Sequence, residues 1–177
     1  MSEKSLGKKL GLFKILIIAK KAGRVTRKYP FEKPLVTDEF RGKIEIDEKE
    51  CIGCGACANA CPPNALKLIK GENTFILQYF IGRCIYCWRC IDVCPTNAIK
   101  GTREFELATP DLNDLYESVV HDVIKCRECS KPIMTVKAKD YIISKVSVSE
   151  NYIDLDPDCR KKHFLSSIEK RFSGGIE

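Results

Sequence analysis

Helical periodicity is sustained over only one stretch near the start of the chain. Leu6, Leu10, Phe13 and Ile17 share a stripe of LGKKLGLFKILIIAKKA, which predicts a helix over residues 6–22. Within it, Ile15–Ala19 is apolar all round, and Lys9, Lys14, Lys20 and Lys21 do not collect on one opposite face, as they would on an ordinary surface helix. Short strand-like runs follow at Lys43–Ile46 and Thr74–Phe80, each before one half of a repeat, and Val119–Lys125 is an alternating strand-like run. Thr109-Pro110 has the form of a helix start, with Thr as N-cap and Pro at the first helical position. Asp156 and Pro157 predict another helix, ended by Gly174-Gly175. No apolar run approaches the roughly 20 residues that a membrane-spanning helix needs.

Charge divides the 177 residues unevenly. Residues 1–42 hold 11 Lys/Arg against 4 Asp/Glu, residues 43–109 hold 8 against 8, and residues 110–177 hold 11 against 12. All the net positive charge of +6 therefore comes from the N-terminal arm. A general nucleic-acid surface is disfavoured, because the rest of the chain is close to neutral. An apolar, basic helix fits a partner subunit or the anionic face of a membrane better than it fits a small core of its own.

Eleven cysteines change the picture further. They come in tight C-x-x-C clusters and no secretory signal opens the chain, so reduced thiolates around metal in a cytoplasmic protein are expected rather than disulfides. Eight of them form an internal repeat. CIGCGACANACPPNALK begins at Cys51 and CIYCWRCIDVCPTNAIK at Cys84, with the four cysteines, the Cys-Pro and the Asn-Ala of one matching those of the other at an offset of 33 residues. C-x-x-C-x-x-C wraps three thiolates around one face of an iron–sulfur cube, and the following Cys-Pro reaches the cube of the other half. Cys51, Cys54, Cys57 and Cys94 are thus expected to hold one [4Fe-4S] cluster, and Cys84, Cys87, Cys90 and Cys61 the other. Zinc sites use C-x-x-C pairs rather than triplets with a distant Cys-Pro. No nucleophile constellation, P-loop or G-x-G-x-x-G accompanies the cysteines, so no catalytic residue is assigned and the expected role is to conduct electrons.

The double motif resembles bacterial-type two-cluster ferredoxins over residues 43–109. The preceding VTRKYPFEKPLVTDEFRGKIEID (Val25–Asp47), with Tyr-Pro and then Phe-Arg-Gly before the first strand, is similar to the two-cluster subunit of respiratory complex I. It is equally similar to the corresponding subunit of energy-converting membrane-bound hydrogenases and formate hydrogenlyase. Trp88 departs from the family pattern, which often has a small residue there. The resemblance implies a subunit peripheral to the membrane on its cytoplasmic side, passing electrons from a soluble donor such as ferredoxin, or from a donor-side subunit, to a catalytic core. Its partners would be the large and small subunits of a hydrogenase-like or complex I-like assembly. The alternative is a free two-cluster ferredoxin acting as a diffusible carrier, although such carriers rarely bring an arm of this length and a long tail.

Three cysteines remain. CRECSKP (Cys126–Pro132) is a knuckle-like turn, and Cys159 and His163 stand i and i+4 on the helix expected after Asp156. Cys126, Cys129, Cys159 and His163 form a soft tetrahedral set suited to one structural zinc, with His121 as the alternative fourth ligand. Formate hydrogenlyase relatives carry a cysteine-rich extension of similar layout. The expected fold is α+β: an N-terminal helical arm (1–42), a bacterial-type two-cluster ferredoxin core (43–109) and a small C-terminal metal-knuckle extension (110–177).

Overall fold

The repeat folds as two antiparallel ladders that are copies of each other. In the computed structural model, strand β1 (Ile44–Ile46) pairs with β4 (Ile99–Gly101), and β2 (Leu66–Lys70) pairs with β3 (Thr74–Phe80). Ile46 faces Ile99 in the first ladder and Tyr79 faces Leu66 in the second. The 33-residue offset carries Ile46 onto Tyr79 and Leu66 onto Ile99, so the same rungs recur. Each cysteine run contributes a short helix, α2 (Ala56–Ala60) in the first and α3 (Arg89–Asp92) in the second. The structure describes residues 12–24, 26, 28–146 and 150–173.

The chain divides into two units, residues 1–38 and 39–177. In the first, Leu12–Ala22 is helical (α1), and Phe13, Ile15, Leu16, Ile17 and Ile18 are all exposed. The part of the expected helix before Leu12 lies outside the described residues.

Residues 110–177 do not stand apart from the ferredoxin core. Strand β5 (Tyr116–Lys125) adds to β3 over seven paired positions and β6 (Pro132–Thr135) adds to β5, giving one sheet in the order β2-β3-β5-β6. The alternation of β3 buries Phe75, Leu77 and Tyr79, and that of β5 buries Val119 and His121 on the facing pattern. Burying side chains such as Leu77 and Ile44 contributes about 1.5–3 kcal/mol each. The helix expected at Thr109-Pro110 does not form. Residues 112–115 make a single 3₁₀ turn, Asp111 accepts from the Asn113 N–H, and Thr109 donates to Asp114. Strand pairing begins at Tyr116 and leaves no room for a longer helix.

Thr135 then starts α4 (Val136–Lys145), its hydroxyl accepting from the Ala138 N–H at 3.1 Å. After the one-turn α5 (Glu150–Ile153), Asp156 accepts from Asp158 N–H and opens α6 (Pro157–Ser173), as its sequence signature predicts. The expected glycine stop lies beyond the described residues.

Candidate functional site

Two cavities are lined by thiols. Cys51, Cys54, Cys57 and Cys94 border one, with Leu77 and Ile99 among its walls. Cys61, Cys84, Cys87 and Cys90 border the other, with Ile44, Leu66, Tyr79 and Trp88. Each cavity thus gathers three cysteines of one run and the fourth of its partner run. All eight are free thiols, and Cys51, Cys57 and Cys90 are buried.

Left-handed backbone turns the chain around these cavities at repeated places. Gly53 and Tyr86 are equivalent and lie at φ 65° and 54°; Gly55 and Trp88, at 76° and 60°, each precede the short helix of their run. Glycine takes this conformation without strain, and Tyr86 and Trp88 do so against it. The space at these positions explains the difference. A Cβ on Gly55 would fall 2.9 Å from Leu68, and one on Gly101 would fall 2.5 Å from the Trp88 ring. Leu68 and Gly101 are themselves equivalent, so a small–large pair in the first half becomes large–small in the second. Trp88 is further held by its indole N–H, which donates to the Gly42 carbonyl at 3.1 Å, and by Arg41 over its ring.

Electrostatics follow the same grouping. Burial pushes Cys57 up to about 12, helped by Cys54 and Cys51, and pushes Cys90 up to about 11, helped by Cys84, Cys87 and Cys61. Thiols crowded in this way resist ionising until a cation joins them. Cys94 goes the other way. Burial works to raise it, but N–H groups of Thr96, Ala98 and Ile99 and the Thr96 hydroxyl bring it below its ordinary value. Its equivalent, Cys61, accepts from the Ala65 N–H at 3.2 Å. Donors aimed at sulfur in a dry cavity fit a group whose sulfurs carry negative charge.

The C-terminal strands reach the first cavity. His121, 4% exposed, brings Nε2 to 3.5 Å from Cys51 Sγ, so the alternative that His121 joins the tail cysteines gives way to this contact. The knuckle begins five residues further along an extended strand, about 16 Å away. Burial and the Lys137 amine lower the pKa of His121. Thr135 donates to the Ile52 carbonyl, Lys137 donates to the Glu48 and Lys49 carbonyls at 2.6 and 3.2 Å, and Tyr141 donates to Pro95. Thr135, Lys137 and Tyr141 escaped sequence reading; only the parity of His121 with Val119 marks the strand's inward face.

In the tail, the sulfurs of Cys126, Cys129 and Cys159 lie within 4.8 Å of one another. The knuckle turns by Ser130 N–H to Cys126 carbonyl, and the Asp156 N–H reaches Cys126 Sγ at 3.3 Å. N–H groups, that of Cys129 foremost, hold Cys126 down at about 6, whereas burial and the two other thiols push Cys159 up to about 12. His163 is not in the group. It shares a helix face with Cys159, but one turn on its ring meets the Glu128 carboxylate.

Residues 44–100 match the model of the 4Fe-4S dicluster domain. Over 157 residues the chain is 41% identical to formate hydrogenlyase subunit 6 of Escherichia coli, covering 82% of this chain and 86% of that protein. The chain belongs to this family. It is similar also to subunit I of the NAD(P)H-quinone oxidoreductase of a Synechococcus strain, 36% identical over 119 residues, 63% of this chain and 57% of the relative. A solved archaeal respiratory membrane complex, the membrane-bound sulfane sulfur reductase, has a chain 22% identical, covering 84% of this one and 75% of its own length at a TM-score of 0.45. This member of the formate hydrogenlyase subunit 6 family is an iron–sulfur, 4Fe-4S protein of the electron-transport class, with homologues among hydrogenase and complex I-like subunits. Among its described residues, no helix is long and apolar enough to cross a membrane.

Proposed function

We propose that this chain is a two-cluster electron-transfer subunit of a membrane-associated, hydrogenase-like oxidoreductase. One [4Fe-4S] cluster is held by Cys51, Cys54, Cys57 and Cys94 and the other by Cys84, Cys87, Cys90 and Cys61. The observation that carries this reading is the pair of cavities, each lined by four thiols with the Cys-Pro cysteine exchanged between runs. When bound, each cluster would take up and release single electrons. The chain's own part is to exclude water with Leu77, Ile99, Ile44 and Leu66 and to aim N–H groups at the sulfurs. It serves between a soluble donor such as ferredoxin, or a donor-side subunit, and the large and small subunits of a catalytic core. Its place is peripheral, on the cytoplasmic side of the membrane, with α1 meeting a partner or the lipid surface through its exposed apolar side chains.

The tail, in this reading, holds one structural zinc through Cys126, Cys129 and Cys159. Three thiols this close suit zinc, and His163 on the same helix completes four ligands if its ring leaves Glu128 on metal binding. Zinc does not change oxidation state, so its work is to pin α6 to the knuckle.

Metal analysis of the chain in its native complex tests both parts. About eight irons and one zinc per chain are expected. About four irons, or zinc at the eight core cysteines, would refute the cluster assignment, and iron without zinc would refute the tail site. Elution of the native protein near its own 20.0 kDa would replace the subunit by a free carrier.

A further inference from the structure

We propose that His121 and Tyr79 are matched hydrogen-bond donors that set the reduction potentials of the two clusters separately, His121 through Cys51 and Tyr79 through Cys84. This rests on the two-cluster reading above. Cys51 and Cys84 are the same position of the repeat. His121 pairs with Phe75 across β3 and β5, and Tyr79 pairs with Glu117, so one buried sheet face carries both rings. The His121 ring nitrogen lies 3.5 Å from Cys51 Sγ. The Tyr79 side chain, 2% exposed, borders the cavity of Cys84, and its hydroxyl is buried without a hydrogen-bond partner.

Repeat symmetry makes the pair informative. The equivalent of Tyr79 in the first half is Ile46, which has nothing to donate. The donor at Cys51 comes instead from β5, a strand outside the repeat. A cluster thiolate can only accept, so each ring must be the donor, Nε2–H at Cys51 and O–H at Cys84. Hydrogen bonds to sulfur favour the more negative, reduced state and raise the potential. A ring N–H and a phenol O–H, each on one cluster, let the two potentials be set apart.

The test is an EPR-monitored redox titration of the full chain, loaded with iron and sulfide, as wild type, His121→Phe and Tyr79→Phe. Each variant should shift one signal to more negative potential and leave the other, and the two variants should move different signals. Unmoved potentials in either variant, or both variants moving the same signal, would overturn the proposal. Iron content of the same samples separates the two levels: fewer than about eight irons in the wild type refutes the two-cluster reading, whereas eight irons with unmoved potentials refutes only the donors. Should His121→Phe fail to hold its cluster, His121→Gln keeps an N–H donor and should keep the wild-type potential. Wild type labelled with ¹⁵N-histidine should show nitrogen coupling to one reduced cluster that His121→Gln abolishes; no coupling in the wild type overturns the role of His121.

Discussion

The two halves of the repeat share their ladder register and their left-handed turns, yet they are packed by opposite means. The first half is open at Gly53 and Gly55: its own Leu68 covers Gly55, while His121 and Thr135, from outside the repeat, lie where a Cβ on Gly53 would go, at 2.7 and 2.8 Å. The second half fills itself, with Tyr86 and Trp88 at the same positions and Gly101 making way. Sequence similarity between halves therefore preserves the cysteines and the backbone, and leaves the surroundings of each cavity free to diverge. At Gly53 the C-terminal strands take up the space that glycine leaves open.

The sharpest way to break this contrast is to give the first half the residue of the second. Gly53→Tyr combines left-handed strain with a clash against His121 and Thr135, and should cost about 4 kcal/mol or more and, on the proposed two-cluster reading, empty the first cavity of its cluster. Thermal unfolding and an iron content reduced by half are the readouts. Tyr86→Gly, the reverse exchange, should change stability by under about 1 kcal/mol, because relief of strain offsets the entropy of glycine.

A smaller effect belongs to the exchanged pair. Trp88→Gly removes a half-buried ring, its bond to Gly42 and its packing on Gly101, and should destabilise by about 3 kcal/mol in chemical denaturation. Adding Gly101→Leu rebuilds the arrangement of Gly55 with Leu68 and should recover about half of that loss. Full additivity of the two substitutions would show that the pairs are not interchangeable.

The smallest effect concerns how each ladder is closed. Strands β2 and β3 are joined directly through Gly71, whereas beside β1 and β4 Lys43 and Glu104 meet at 2.6 Å on a partly exposed surface. Glu104→Gln should cost under about 1 kcal/mol, and less in high salt. Its side-chain bond to Glu104 raises the Lys43 pKa above 10.5. A raised value in the folded state means the contribution is complete below pH 10.5 and is lost as pH climbs through the folded value. Denaturation midpoints of wild type and Glu104→Gln should therefore converge in that alkaline window.

Cysteine grouping was legible because ligand spacing is local chemistry: two triplets and two Cys-Pro residues admit few arrangements. The strand at Thr74–Phe80 was legible as a β-like run before the second half of the repeat, and that at Val119–Lys125 from its alternation. The helix expected at Thr109-Pro110 was not, since a seven-rung pairing of β5 with β3 outweighs a local capping signal. His163 shows a further limit. Spacing of i and i+4 puts two Cβ atoms on one face, but the ring is turned by a carboxylate, Glu128, that lies 35 residues earlier. The exchange of Gly55–Leu68 for Trp88–Gly101 was also hidden, because it emerges only once strand register brings residue 68 over 55 and 101 over 88.

The bond from Thr135 to Ile52 spans 83 residues, and the Lys137 contacts span even more. Closing loops of that length comes late, after the neighbouring strands β2 and β3 have paired, since distant contacts form more slowly than near ones. During synthesis all eight core cysteines emerge well before the strand and helix that cover the first cavity. If the first cavity holds the cluster proposed for it, iron and sulfide would be delivered before the chain has extended past Thr135, and the covering strands would act as a closing step in maturation.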